Sequence, residues 1–143
     1  QRTGLSAFRQ RKPAELSGGM RQRAAIASVL AINPSTLLMD EPFGALDSLT
    51  RSIMQDFLLE IWEEQRKTVV LVTHDIDEAI YLADRTVVMT AHPGRICEII
   101  DVDLPRPRRY EMRSDAAFIR LRDHVTEIVR TEAIQGAVAS AIN

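Results

Sequence analysis

Three consecutive segments in the first half of this chain limit its possible folds more than anything else in it. Residues 36–40 hold a short apolar run, Thr36 to Met39, that is cut off by Asp40 and Glu41. Residues 48–66 place Ile53, Met54, Phe57, Leu58, Ile61 and Trp62 at helical spacing on one broad apolar face. Residues 68–73 form a second apolar run, rich in valine, which ends in His74 and Asp75. Short continuous apolar runs bounded by polar residues have the pattern of buried strands. Strand, helix and strand in that order make a βαβ crossover, with the two strands parallel and the connection right-handed. Both polar ends then share the carboxyl edge of the sheet, where open parallel sheets bind ligands. Neighbouring strands lie about 4.8 Å apart, so the order predicts that Asp40, Glu41 and His74 face a single ligand.

The remaining segments extend this α/β reading. Residues 1–15 show no period and read as a loop or the end of a helical region. From Gly18 to Ile32, Met20, Ala24, Ala27, Val29 and Leu30 suggest a helix that Asn33 and Pro34 stop. Asp47 is placed to cap the helix over 48–66. Asp75, with Glu78 three places on, resembles a capping box for a short helix through Leu82. Thr86–Met89, the turn His92-Pro93-Gly94 and Ile96–Ile100 predict a hairpin. Beyond the proline- and arginine-rich stretch 105–109, Phe118, Leu121, Val125 and Ile128 mark a C-terminal helix, with fraying expected from Gly136 onward. No internal repeat is visible.

Composition excludes several classes. At 143 residues the chain suffices for one compact domain, and 45% hydrophobic with 27% charged residues is close to the average for folded soluble proteins. A net charge of −2 argues against a general nucleic-acid binder, which carries a basic excess. Cys97 is the only cysteine, which rules out an intrachain disulfide and fits a reducing compartment. No apolar run approaches the roughly 20 residues that span a bilayer, and the N-terminus is charged rather than signal-like. The chain opens at Gln1 and runs at once into the basic stretch Arg9–Pro13, for which a cut upstream is the simplest explanation.

Three groups of residues carry candidate chemistry. Ser17, Gly18 and Gly19 stand directly before a helix start, where exposed N–H groups and the positive end of the helix dipole suit an anionic phosphate. An ordinary glycine turn capping a helix gives the same pattern. Asp40 and Glu41 offer one carboxylate for magnesium and one to orient an attacking water, although a solvated acidic turn after a strand is common. His74, which alone reads more often as a structural or exposed histidine, gains weight from its place on the acid edge, where it can hydrogen-bond a terminal phosphate. His92 in a turn and His124 in a helix have no partners in sequence. The arginines 106, 108, 109 and 113 read as a solvated linker, or as contacts to lipid headgroups or a partner.

LSGGMRQR at 16–23, LLMDEPFGALD at 37–47 and VTHDIDEAIYLADR at 72–85 resemble the signature motif, the Walker B with D-loop, and the switch-histidine segment of ABC ATPases. Three motifs in order are far more specific than any one of them. The resemblance implies the C-terminal part of a RecA-like P-loop ATPase domain: parallel strands with flanking helices, then a hairpin and a helix. Within it, 1–33 would end a helical subdomain, 34–104 would belong to the catalytic core, and 105–143 would be linker and C-terminal helix. It implies that Ser17, Gly18 and Gly19 meet the γ-phosphate of ATP held by the opposite subunit, and it counts Gln22 of the same motif among the nucleotide-binding residues. It makes Asp40 the magnesium-positioning residue, Glu41 the general base, Asp47 a dimer-interface residue and His74 the γ-phosphate sensor.

The same resemblance implies ATP and Mg2+ as cofactors and a head-to-tail dimer with a second ATPase subunit. It also implies transmembrane permease subunits, a periplasmic or lipid-anchored solute-binding protein acting indirectly, no nucleic acid, and a place at the cytoplasmic face of the bacterial inner membrane. HPGRI and LPRPR within 91–109 are similar to the subunits that energise nitrate, sulfonate, taurine or bicarbonate import. The chain departs from the family in two places. It holds no G-x-x-x-x-G-K-[ST], since Lys12 and Lys67 both follow arginines, and no Q-loop precedes the signature. By resemblance, the absent strand pairs beside 68–73, so 68–73 is expected to have an open edge and 86–89 to lack its bridge to the sheet. Such a piece is expected to hydrolyse no ATP alone. A regulatory module using the signature surface only in trans is the alternative from another class. An ABC ATPase of DNA repair or the ribosome is a third, disfavoured by the absence of a long heptad stretch or a second copy.

Overall fold

A computed structural model describes residues 5–91 and 93–141. In chain order the elements are α1 (Gly18–Ala31), β1 (Thr36–Asp40), α2 (Ser48–Gln65), β2 (Thr68–Val72), α3 (Ile76–Leu82), β3 (Arg85–Met89), β4 (Ile96–Asp101) and α4 (Ala116–Ala141). Three 3-10 turns, at Ser6–Phe8, Pro13–Glu15 and Tyr110–Ser114, were not foreseen. The chain divides into two compact units, Gln1–Thr73 and His74–Asn143.

The first unit contains the expected crossover. β1 and β2 pair in parallel, from Thr36 opposite Thr68 to Asp40 opposite Val72. α2 starts where the Asp47 carboxylate accepts the Thr50 N–H, and it stops at Arg66, which turns left-handed at φ 50°. Met54, Phe57, Leu58, Leu59 and Ile61 of α2 are buried with Ile26 of α1, Leu37 of β1 and Phe43 of the following turn. A small space of about 10 Å³, lined among others by Leu30, Leu37, Leu58, Ile61 and Val69, shows which strand positions look toward the helices.

The opposite strand positions correct the expectation of strands buried on both sides. Side chains alternate across a strand, and Leu38 (78% exposed), Val70 and Val72 lie uncovered among the described residues. An apolar run says that a face is to be covered, not by what. Ile53 of α2 and Val29 of α1 are likewise exposed, while Ile26, outside the expected face, takes the buried place in α1.

The second unit is built on the expected hairpin. β3 and β4 pair antiparallel, with Thr86 opposite Ile100 and a register shift between Val88 and Met89. The two sheets are separate, each of two strands, as expected for a strand 86–89 without its bridge. Thr90 closes the hairpin loop, its hydroxyl donating to the Pro93 carbonyl at 2.6 Å and accepting the Arg95 N–H at 3.0 Å; His92 of the expected turn lies outside the described residues. Ile80 and Tyr81 of α3, Val88, Ile100, and Phe118 and Val125 of α4 form the core of this unit. α4 is helical to Ala141. His124 of α4, for which the sequence offered no partner, lies 2.8 Å from Glu98 of β4.

Candidate functional site

The signature segment is a helix start built by local chemistry. Ser17 is extended at φ −63°, ψ 165°, and its hydroxyl accepts the Met20 N–H at 3.3 Å, capping α1. The same construction recurs at α2, where Asp47 takes the Thr50 N–H at 3.0 Å. In each helix an arginine four places after the cap reaches back to the leucine carbonyl before it: Arg21 to Leu16 at 2.6 Å and Arg51 to Leu46 at 3.2 Å. These arginines escaped the sequence reading, because an arginine in a helical pattern carries no mark of its carbonyl partner.

The two helix starts adjoin. A Cβ on Gly18 would lie 3.3 Å from Leu46 Cδ2, and one on Gly19 only 2.6 Å from Thr50 Cγ2. The glycines therefore bring the start of α1 tightly against the turn that holds Asp47, and space explains at least part of their presence. Gln22 follows on α1, half-buried. The Asp47 carboxylate titrates below the ordinary carboxylate range, chiefly because it accepts the Thr50 backbone N–H and then because of the Thr50 hydroxyl.

The acid pair emerges at the carboxyl edge of the first unit's sheet. Asp40 ends β1 opposite Val72, and both Asp40 and Glu41 are exposed. Glu41 has φ 45°, in the left-handed region that side-chain-bearing residues seldom adopt. It is held there because its N–H bonds the Val72 carbonyl at 2.9 Å while its own carbonyl accepts the Gly44 N–H at 3.2 Å. Backbone strain of this kind costs about 1–3 kcal/mol and gathers at functional sites. No group of three His, Cys, Asp or Glu side chains among the described residues could cage a metal ion. A magnesium ion that takes ligands from phosphates and water needs only one or two carboxylates, and the exposed pair fits that donor set. His74 opens the second unit, exposed, directly before Asp75, whose carboxylate accepts the Glu78 N–H at 3.0 Å and caps α3.

The family model for the ABC transporter matches residues 1–44. The chain is also 51% identical over 132 residues to an ABC transporter ATP-binding protein of Methanocaldococcus jannaschii, covering 92% of this chain and 48% of the relative. Along most of its length the chain is similar to ABC transporter ATP-binding proteins. It is 50% identical over 123 residues to an aliphatic sulfonates import ATP-binding protein of Bacillus cereus, covering 86% of this chain and 48% of that protein. It also superposes, with TM-score 0.56 and 39% identity, on an ATP-binding cassette solved as a dimer in a post-hydrolysis state with ADP and Pi, over 70% of this chain and 42% of that one. The chain thus spans about half the length of the curated relatives it matches. Of the segments that resemble ABC motifs, the start of LSGGMRQR and Asp47 adjoin in the first unit, Asp40 ends its β1 with Glu41 next in the chain, and His74 begins the second unit. No described helix is long and apolar enough to cross a membrane.

Proposed function

We propose that this segment supplies the signature and hydrolytic residues of an ABC-type ATPase that drives solute import, in the class that carries nitrate, sulfonate, taurine or bicarbonate. The observation that carries the reading is the acid pair: an exposed Asp40 ending a parallel strand, followed by Glu41 held in a left-handed turn at the ligand-binding edge. The sulfonate-import relative at 50% identity supports the substrate class. The dimeric cassette with ADP and Pi supports the nucleotide and the subunit pairing.

In this reading Ser17, Gly18 and Gly19, with Gln22, meet the γ-phosphate of ATP gripped by a second ATPase subunit in a head-to-tail dimer. Asp40 would hold Mg2+, which when bound neutralises phosphate charge. Glu41 takes a proton from the hydrolytic water, His74 hydrogen-bonds the γ-phosphate, and Asp47 sits at the subunit interface. The phosphate-gripping loop and the Q-loop are not among these 143 residues and are supplied by other sequence; in this reading 1–33 is the end of the helical subdomain, 34–104 the C-terminal part of the catalytic core, and 105–143 the linker and C-terminal helix. Transmembrane permease subunits and, through them, a solute-binding protein complete the assembly at the cytoplasmic face of the inner membrane.

Glu41→Gln, made in the ATPase that carries this segment, tests the assignment. The amide keeps the size and the phosphate contacts but cannot take a proton, and general-base catalysis contributes about 10²- to 10⁴-fold. ATP binding is expected to persist while turnover falls by about 10²-fold or more. Hydrolysis at the wild-type rate refutes the role of Glu41.

A further inference from the structure

The arginine run read from sequence as a solvated linker is, in the second unit, largely an internal structure. Arg108 is buried at 6% exposure, and Arg106 and Arg113 are half-buried; Arg109 alone of the four is exposed. Arg108 Nη1 lies 2.9 Å from the Ile80 carbonyl, 3.0 Å from that of Tyr81 and 2.6 Å from that of Ala83. Arg106 donates to the Leu82 carbonyl at 3.1 Å and to Asp84 at 2.8 Å. Arg113 stacks 4.2 Å above the ring of buried Tyr81.

These contacts complete the carboxyl end of α3. A helix leaves its last four carbonyls without intrahelical donors. In α3 the Ala79 carbonyl takes the Ala83 N–H at 3.1 Å, those of Ile80 and Tyr81 take Arg108, and that of Leu82 takes Arg106. Two guanidinium charges at the negative end of the helix dipole add to the effect. The other end of α3 is fixed by Asp75, and His74 is the residue before that cap. A seven-residue helix held at both ends moves as one piece, so displacement at its carboxyl end displaces the residue leading into it.

We infer that Arg108, assisted by Arg106, is a positioning residue for His74, acting through α3. The inference rests on the reading of His74 as the γ-phosphate contact. Misplacement of a catalytic group by about 1 Å can cost about 10²-fold in rate, so the anchor is expected to appear in kcat and not in nucleotide affinity.

The test is a double-mutant cycle in the intact ATPase that carries this segment. Arg108→Gln, Arg108→Lys and Arg106→Gln are each made with His74 present and with His74→Ala, reading kcat and KM for MgATP, with thermal melting to establish folding. With His74 present, Arg108→Gln is expected to lower kcat by about tenfold and to leave KM within about twofold, and Arg108→Lys, which keeps the charge without the planar fork, to fall between. With His74→Ala the same substitutions are expected to lower kcat by less than about twofold, because the group they position is gone. Equal losses in both backgrounds overturn the inference, since the arginine then serves the fold at large. Should Arg108→Gln not fold, Arg106→Gln carries the cycle, and an effect independent of His74 overturns the inference equally. If His74→Ala alone keeps full turnover, the reading of His74 fails and takes the inference with it. If His74→Ala is impaired and the cycle is additive, the inference alone fails.

Discussion

Gly19→Ala is a sharp test of how the signature segment is packed. The added Cβ would stand 2.6 Å from Thr50 Cγ2, whereas carbon atoms rest about 3.5–4.0 Å apart, an overlap of about 1 Å. Thr50 cannot easily yield. It is β-branched, sits in the first turn of α2, and its N–H is tied to Asp47. Relief therefore requires α1 to back away from α2, and overpacking of this kind costs about 1–3 kcal/mol. Alanine recovers about 0.5 kcal/mol through its better helix propensity, less than the interior value of about 1 because Gly19 is in the first turn, which leaves a net loss of about 0.5–2.5 kcal/mol. Thr50→Ser removes Cγ2 and keeps the hydroxyl. Placing it behind Gly19→Ala is expected to bring stability back to within about 0.5 kcal/mol of Thr50→Ser alone. Gly18→Ala is the internal control, because its Cβ meets only the flexible end of Leu46 at 3.3 Å, and it is expected to be near neutral. Chemical denaturation without nucleotide reads all four variants. A Gly19→Ala protein as stable as wild type, or a loss that Thr50→Ser leaves untouched, refutes the close packing of α1 on α2.

Two further outcomes follow from the acids. Glu41 occupies a left-handed conformation at φ 45° that glycine adopts freely, so Glu41→Gly is expected to raise stability by about 1 kcal/mol while abolishing turnover; a lower melting temperature contradicts the strain. Folding lowers the Asp47 pKa, so its cap is fully present above the ordinary aspartate value of about 3.9 and fades as pH falls through the lowered folded value. Asp47→Asn caps at every pH, and the melting temperature is expected to fall less between about pH 5 and pH 2 than in wild type; an unchanged fall removes Asp47 from the acid response.

Much of both units was legible where the signals are short in range. Helical spacing marked α2, valine-rich runs marked the strands, and Asp47 and Asp75 were readable as caps since a cap's partner lies three residues away. Asp40 and Glu41 were legible as polar stops at strand ends. The features that escaped depend on tertiary placement. Leu38, Val70 and Val72 are as apolar as Leu37, and only the fold tells that their face of the pair is uncovered among the described residues. Arg108 finds its carbonyl partners 25 to 28 residues away, so a sequence window showed only charge beside proline. The left-handed turn at Glu41 and the closeness of Gly19 to Thr50 likewise belong to how segments meet.

The central claim is that these residues form the jaw that closes on a nucleotide another segment grips. Calorimetric titration of MgATP into the 143-residue polypeptide, beside the same polypeptide preceded by the amino-terminal half of the Methanocaldococcus jannaschii relative, measures it directly. The account predicts no saturable heat from the polypeptide alone, and saturable binding followed by hydrolysis from the joined protein. Tight, stoichiometric binding by the polypeptide alone contradicts it.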